Sequence, residues 1–451
     1  MPHPISKKYE LKRLLALMLP ILITQFSQAG LGLIDTIMAG HLSATDLAAI
    51  AVGVGIWMPI MLFFVGIILA TTPLVAEAVG AKDHAQIPHI VRQSMWMSAL
   101  LGIVALILLQ FMPLLLSLFD VPVDLRPKAS LFLHAIGFGM PAVTLYTSLR
   151  CYSEAIGHPH PVTAISLIAL VVLIPLDYLF MYGAGPLPAL GSAGCGFATA
   201  ILQWLMLATL VIYIHKAKAY QQHKIFHAKE KLHLAFAKRL LALGIPIGLA
   251  VFFEVSIFST AAIILSPLGD TIIAAHQIAI SITSQLFMLP MSLAIALTIR
   301  VGTYYGEKNW LAMRKVQWVG LMTATTMACI TMLLIALGKT QITQLYTRDP
   351  HVAEVALFLL QFCIAYQIID AWQVSAAGCL RGMQDTQAPM WITLIAYWFI
   401  ALPLSIYWIR YQHMGPQGIW ISLIIGLSIA CILLLWRLYK NNQRLIFQTR
   451  T

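Results

Sequence analysis

The chain has 451 residues, of which 60% are hydrophobic and only 10% charged. No water-soluble domain of that length can hide so much apolar surface, so soluble enzymes and soluble binding modules are excluded. The net charge of +11 would suit a nucleic-acid binder, but the basic residues lie in the wrong places for one.

Twelve apolar stretches are long enough, at about twenty residues each, to cross a bilayer core of roughly 30 Å as helices. They lie near 14–39, 48–78, 93–113, 131–152, 162–182, 193–214, 240–264, 272–300, 314–337, 353–379, 389–409 and 417–438. Strand alternation is absent, and a lone helix satisfies its own backbone in lipid. The expected class is therefore an all-α polytopic membrane protein. The basic start runs straight into a span too long for a secretory signal, so no cleavable signal is expected.

In chain order, the first span carries Pro20 and Asp35, the fifth Asp177 and the sixth Thr199. Between the sixth and seventh spans runs the longest basic stretch, Lys216 to Arg239. The seventh span carries Pro246 and Glu254, and the tenth Tyr366 and Asp370. If the N-terminus is cytoplasmic, 23 of the 28 Lys and Arg residues fall at cytoplasmic ends; only Arg126, Lys128, Lys339, Arg348 and Arg410 do not. That is a strong positive-inside bias, and it puts both termini in the cytoplasm.

The two halves repeat each other. Lys12 to Leu17 recurs letter for letter as Lys238 to Leu243, an offset of 226 residues. At the same offset Pro20 falls on Pro246, Ala70 on Ala296, Gly80 on Gly306 and Lys82 on Lys308. At an offset of 228, Pro161 matches Pro389 and Pro175 matches Pro403. Each half has an even number of spans, so the repeat is parallel, about an axis along the membrane normal. The expected organisation is twelve transmembrane helices in two parallel-repeat six-helix lobes, residues 1–215 and 238–451, joined by a basic cytoplasmic linker, 216–237.

Four acids fall inside apolar spans: Asp35, Asp177, Glu254 and Asp370. An ionised carboxylate at mid-bilayer costs several kcal/mol unless it is paired, hydrated or protonated. No Lys or Arg is expected at matching depth, so the neutralising partner should be mobile: a proton, a metal cation or a cationic substrate. A carboxyl hydrogen-bonded between helices is the structural alternative, weightiest for Asp177 near a span end. Glu254 lies roughly 22 Å and Asp370 roughly 16 Å along their helices from the cytoplasmic side, so the two can converge. Tyr366 sits one turn from Asp370 on the same face, with a hydroxyl to offer. The acids are not duplicated: Asp35 aligns with Ala261, Glu254 with Gln28, Asp370 with Ala142 and Asp177 with Ser405. A division of labour between the lobes is expected rather than two equivalent sites.

Pro20 and Pro246 can free a carbonyl and let their helices bend as hinges, or can be harmless prolines near helix starts. Aromatic residues such as Phe252, Phe253, Tyr397 and Trp398 can line a greasy pocket for aromatic cations, though each taken singly reads as packing or lipid-facing. The six cysteines form no C-x-x-C pair and read as small buried hydrophobes. His223, His227 and His233 in the linker read as part of a solvated basic loop, because no carboxylate or cysteine completes a ligand set. No structural metal and no cofactor is expected.

Asp35 to Ala49 resembles the segment joining the first and second spans in the multidrug and toxic compound extrusion (MATE) family. Ala70 to Gly80, Ala275-His-Gln-Ile-Ala279, Arg300 to Gly306 and Leu380 to Pro389 are similar to it as well, over nearly the whole chain. Phe252-Phe-Glu-Val255 and Tyr366-Gln-Ile-Ile-Asp370 resemble the NorM-like branch. The resemblance implies a V-shaped pair of six-helix lobes, with no enzymatic activity, exporting organic cations, dyes and antimicrobial drugs in exchange for inward H⁺ or Na⁺. It implies a second-lobe cation site at Glu254, Tyr366 and Asp370, and a first-lobe cation or drug site at Asp35, Asp177 and Thr199. One departure stands out: family members commonly carry an Asn four residues before the position of Asp177, where this chain has Leu173. Loss of that amide oxygen and gain of a titratable acid favour H⁺ in the first lobe, with Na⁺ in the second lobe as the rival. The implied partners are amphipathic organic cations and membrane lipid, not nucleic acid, and the implied setting is a monomer in a bacterial inner membrane.

Three other classes fit the sequence less well. A lipid-linked precursor flippase of the same superfamily would need a larger cationic cavity for phosphates. A major-facilitator transporter would carry an Arg-rich turn where this chain has Gly80-Ala-Lys-Asp-His-Ala-Gln86. A prenyltransferase would need two Asp-rich motifs for Mg²⁺-pyrophosphate, which are absent.

Overall fold

A computed structural model describes residues 6–117, 121–183, 188–227 and 230–448. Its described residues form helices and turns only. The first half holds α1 (Lys7–Leu42), α2 (Ala44–Ile68), α3 (Thr71–Gly80), α4 (Gln86–Phe111), α5 (Arg126–Gly137), α6 (Met140–Ala155), α7 (His160–Asp177), α8 (Ser192–Lys216) and the short α9 (Lys218–Gln221). The second holds α10 (Leu234–Leu265), α11 (Asp270–Gly306), α12 (Trp310–Tyr346), α13 (Pro350–Gly382), α14 (Gln387–Leu394), α15 (Leu402–Arg410) and α16 (Gln417–Gln448). Eleven helical stretches are long and apolar enough to cross a membrane, and α5 with α6, bent by 41° at their junction, supply the twelfth. The bend falls where Pro141 opens α6, since a proline at a helix start needs no backbone donor.

Local chemistry sets the helix ends. Ser43 caps α2: its Oγ accepts from the Asp46 backbone N–H at 2.9 Å and donates to the Asp46 carboxylate at 2.6 Å. The repeat extends to the turns. Lys82 and Lys308 both take left-handed backbone, at φ 57° and 54°. Each follows a helix end closed by the same pair of bonds, Asp83 N–H to Ala78 and Lys82 N–H to Val79 in one half, Asn309 N–H to Tyr304 and Lys308 N–H to Tyr305 in the other. These are Schellman caps with lysine at the position glycine usually holds, so both halves keep the same turn shape without glycine.

The chain divides into two compact units, Ile23–Gly248 and Met1–Leu22 with Leu249–Thr451. The division therefore falls two residues after Pro20 and two after Pro246, not within the basic linker at 216–237. Packing explains the difference. Leu14, Leu17, Met18 and Ile21 of α1 share a core with Leu293, Leu297 and Leu434. Ala237, Leu240 and Ile247 of α10 share a core with Phe64 and Ile67 of α2. In the first of these units the approach of α2 and α10 is so close that a Cβ at Gly66 would stand 2.6 Å from the Cα of Gly248. Both α1 and α10 continue as helix through their prolines.

The linker is not wholly the solvated loop its composition suggests. Glu230 accepts from the His89 ring at 2.8 Å and pairs with Arg92 on α4. The Gln93 side chain donates to the Lys231 carbonyl and accepts from the His233 N–H, both at 2.8 Å. His223 is 4% exposed, with its Nδ1 2.8 Å from the Tyr152 hydroxyl and its ring stacked against His84. It is a packing residue, and neither it nor His227 nor His233 joins a group of metal ligands among the described residues.

These contacts make the linker sensitive to acid. Burial, with His84 and His158 close by, pushes His223 below the ordinary imidazole value. The hydrogen bond from Arg92, helped by His89, holds the Glu230 carboxyl below the usual carboxylate range. A histidine depressed in the folded state binds its proton more readily when released, so its contribution is complete above its ordinary value and shrinks as the pH falls below it. A depressed carboxylate behaves likewise, at lower pH. Acidification from about pH 7.5 to about pH 5.5 acts through His223, because the released imidazole takes up its proton across that window. Amide exchange across residues 220–227 and 230–233, corrected for intrinsic rates, is expected to rise severalfold over that change, and the rise should shrink in His223→Gln. An equal rise in both proteins would refute this role for His223.

Candidate functional site

Each unit encloses its own cluster of acids. In the unit Ile23–Gly248, Asp35 comes from α1, Asp177 from the last residue of α7, and Cys195 and Thr199 from α8. Spacing of four puts Cys195 and Thr199 on one helical face. After Asp177 the helix widens into a π-helical turn, Tyr178–Tyr182, which ends at Gly183. Such turns re-aim side chains and recur at functional sites. A Cβ on Gly194 would stand 2.2 Å from the Phe180 carbonyl, so only glycine lets the start of α8 lie against that turn. The close approach brings α8 over the end of α7.

Within the cluster, the Thr199 hydroxyl lies 3.3 Å and 3.5 Å from the two Asp35 carboxylate oxygens. Asp177 is fully buried, and neither of its oxygens has a hydrogen-bond partner among the described residues. One ligand atom each from Asp35, Asp177 and Cys195 lies within 4.8 Å of the others. Leu173, one turn before Asp177, is fully buried and offers no oxygen. The structure thus joins the three sequence-expected residues Asp35, Asp177 and Thr199. It adds Cys195, which composition alone had made a buried hydrophobe.

The other unit gathers residues from α10, α13 and the turn between α14 and α15. The Tyr366 hydroxyl donates to an Asp370 carboxylate oxygen at 3.1 Å, as their spacing on α13 predicts. Tyr366 and Asp370 are buried, at 6% and 2% exposure. Glu254 on α10 lies within electrostatic reach of both. Two further groups join them. Tyr397 sits buried on a π-helical turn, Ile395–Ala401, and feels the charges of Glu254 and Asp370. Arg381, in the last turn of α13, interacts electrostatically with Glu254, and its Nε has no hydrogen-bond partner among the described residues. Among the described residues no ion pair forms to these acids, but Arg381 lies within electrostatic range of Glu254. Axial spacing along α13 separates Arg381 from Asp370, but α10 brings Glu254 within reach of both.

Acids held in apolar spans, arranged by a duplicated helical scaffold, point to a membrane transporter rather than an enzyme. A family model, MatE, matches residues 20–179 and again 246–407, so it finds the same duplication. The chain is 68% identical over 442 residues to a probable multidrug resistance protein NorM of Acinetobacter baylyi, covering 98% of each. It is 39% identical over 437 residues to the multidrug resistance protein NorM of Vibrio cholerae, covering 96% of each. Among solved structures, a eukaryotic MATE transporter superposes with a TM-score of 0.86 at 19% identity, over 97% of this chain and 99% of that one. An outward-facing multidrug resistance MATE transporter superposes with a TM-score of 0.88 at 18% identity, over 97% and 96%, and these two likenesses bear on the fold. This chain belongs to the MATE family, in its NorM-like branch.

Proposed function

We propose that this chain is a cation-coupled multidrug efflux antiporter of a bacterial inner membrane, exporting amphipathic organic cations in exchange for inward H⁺. In this reading it works as a monomer with both termini in the cytoplasm, Pro20 and Pro246 serve as hinges, and lipid surrounds it. The names of its relatives support multidrug efflux. The observation that carries the coupling is Asp177, buried without a hydrogen-bond partner beside Asp35. Two carboxylates that close in an apolar setting need a cation between them. Drug and coupling ion both neutralise the same negative field, so loading one releases the other.

Glu254, Asp370 and Tyr366, with Tyr397 beside them, form the second-unit cation site in this reading. Arg381 already offsets part of the negative charge there, which weakens the hold of that site on a second, metal cation. A lipid-linked precursor flippase is the weaker reading, because both clusters present acids rather than a cationic pocket for phosphates. Dye release from proteoliposomes under an imposed pH gradient without Na⁺ tests the proposal. Release is expected there; none, with full release under a Na⁺ gradient at constant pH, would reverse the choice of ion.

A further inference from the structure

We propose that the Asp35–Asp177 pair, with the Cys195 thiolate as third ligand, is a binding site for a thiophilic divalent cation of the zinc and cadmium class. This rests on the reading of the acid pair as a cation site and adds what that site selects. The donor set is two carboxylates and one sulfur, converging from α1, α7 and α8 within 4.8 Å. Bonds of about 2.0–2.2 Å to oxygen and about 2.3 Å to sulfur place tetrahedral ligand atoms about 3.3–3.6 Å apart, so a small contraction closes the cage. The Thr199 hydroxyl, already beside Asp35, stands ready as a fourth donor or to hold a bound water.

Asp177 supplies the independent sign of a ligand: a fully buried carboxylate to which no group of the described residues donates, lying beside Asp35 and Cys195. A hard cation such as Na⁺ or Mg²⁺ prefers several oxygens, and Leu173 withholds one from this cluster. A thiolate instead favours softer ions. The charge also balances. With one shared proton and a neutral thiol, the three groups carry a net charge of −1. Exchanging both protons for one divalent cation leaves three anionic ligands around a charge of +2, again −1. Binding therefore releases two protons and no electrons, and occupation by the metal displaces the coupling proton.

The test uses the full-length protein purified in detergent and titrated with Cd²⁺. A sulfur-to-cadmium charge-transfer band saturating at one Cd²⁺ per chain is expected, with release of two protons, displacement by Zn²⁺ and indifference to Mg²⁺. The band should vanish in Cys195→Ser and Cys195→Ala and survive in Cys329→Ser, whose sulfur is exposed. Two separate substitutions guard against one misfolding, and thermal melts of each verify the fold. In proteoliposomes, Cd²⁺ should slow dye efflux by the wild type at least about tenfold relative to its own metal-free rate, a difference of about 1.4 kcal/mol, and slow Cys195→Ser far less. An unchanged band in both Cys195 variants, or no band at saturating Cd²⁺, overturns the proposal. Loss of the band with intact dye export leaves the efflux reading standing, whereas a Cys195-dependent band without export under any ion gradient overturns that reading alone.

Discussion

Asp370→Asn is expected to abolish ion-driven efflux while leaving the protein folded and inserted. The substitution keeps the shape of the side chain and an oxygen for the Tyr366 hydroxyl, which donates to Asp370 across one helical turn. What it removes is the charge that a coupling cation must neutralise. A charged interaction in a buried site contributes up to about 3 kcal/mol, so its loss corresponds to on the order of a hundredfold in ion affinity. Glu254→Gln should act in the same direction. Because Arg381 lies in the field of Glu254, that variant also leaves Arg381 without its counter-charge, so drug export should fail even where the drug still binds. Tyr366→Phe, which removes only a hydroxyl, should slow export without ending it. The measurement is dye release from proteoliposomes at matched protein content. Near-normal release from both acid variants would remove this cluster from the coupling mechanism.

A large loss of stability is expected from Glu10→Ala, far from either acid cluster. Glu10 is fully buried on α1 and accepts two bonds of 2.9 Å from one nitrogen of Arg300 on α11. The Tyr304 hydroxyl also donates to Glu10, and the Arg300 guanidinium lies 4.8 Å from the Tyr304 ring centre. Removing one partner of a buried pair strands the other, which costs about 3–5 kcal/mol. The Arg300 Nε already has no partner among the described residues, so the site has little spare capacity to absorb the charge. A double variant, Glu10→Leu with Arg300→Met, should recover much of the loss, because apolar replacement of a whole buried pair is often neutral. Melting in detergent distinguishes the cases. A single variant within about 1 kcal/mol of the wild type would mean that water already screens the pair.

Much of this architecture can be read from the amino acids alone. Apolar runs of bilayer length locate the spans, and the offset of 226 residues locates the repeat and even the shared turn at Lys82 and Lys308. The membrane-embedded acids stand out because burying charge is costly, so any acid retained in an apolar run attracts attention. What escapes is whatever depends on how helices face one another. Cys195 has the chemistry of a small hydrophobe until α8 turns it towards Asp35. Arg381 looks remote because its distance from Asp370 is counted along one helix, while Glu254 reaches it from another. Glu230 is a single acid in a basic loop, and nothing local announces that α4 presents His89 and Arg92 to it. The unit boundary is hidden for a related reason. A run of lysines marks where backbone meets water, whereas membership in a core depends on which faces pack, and those change partners just after Pro20 and Pro246.

That exchange means that neither half of the chain contains a whole unit. A fragment ending at residue 215 would lack Ala237, Leu240 and Ile247, which fill the core around Phe64 and Ile67. A fragment starting at residue 238 would lack Leu14, Leu17 and Ile21, which fill the core around Leu293 and Leu297. Cutting this protein at its linker yields two incomplete pieces, each holding the other's missing segment. Dissection into autonomous modules is closed to it, while reassembly from co-expressed fragments is open.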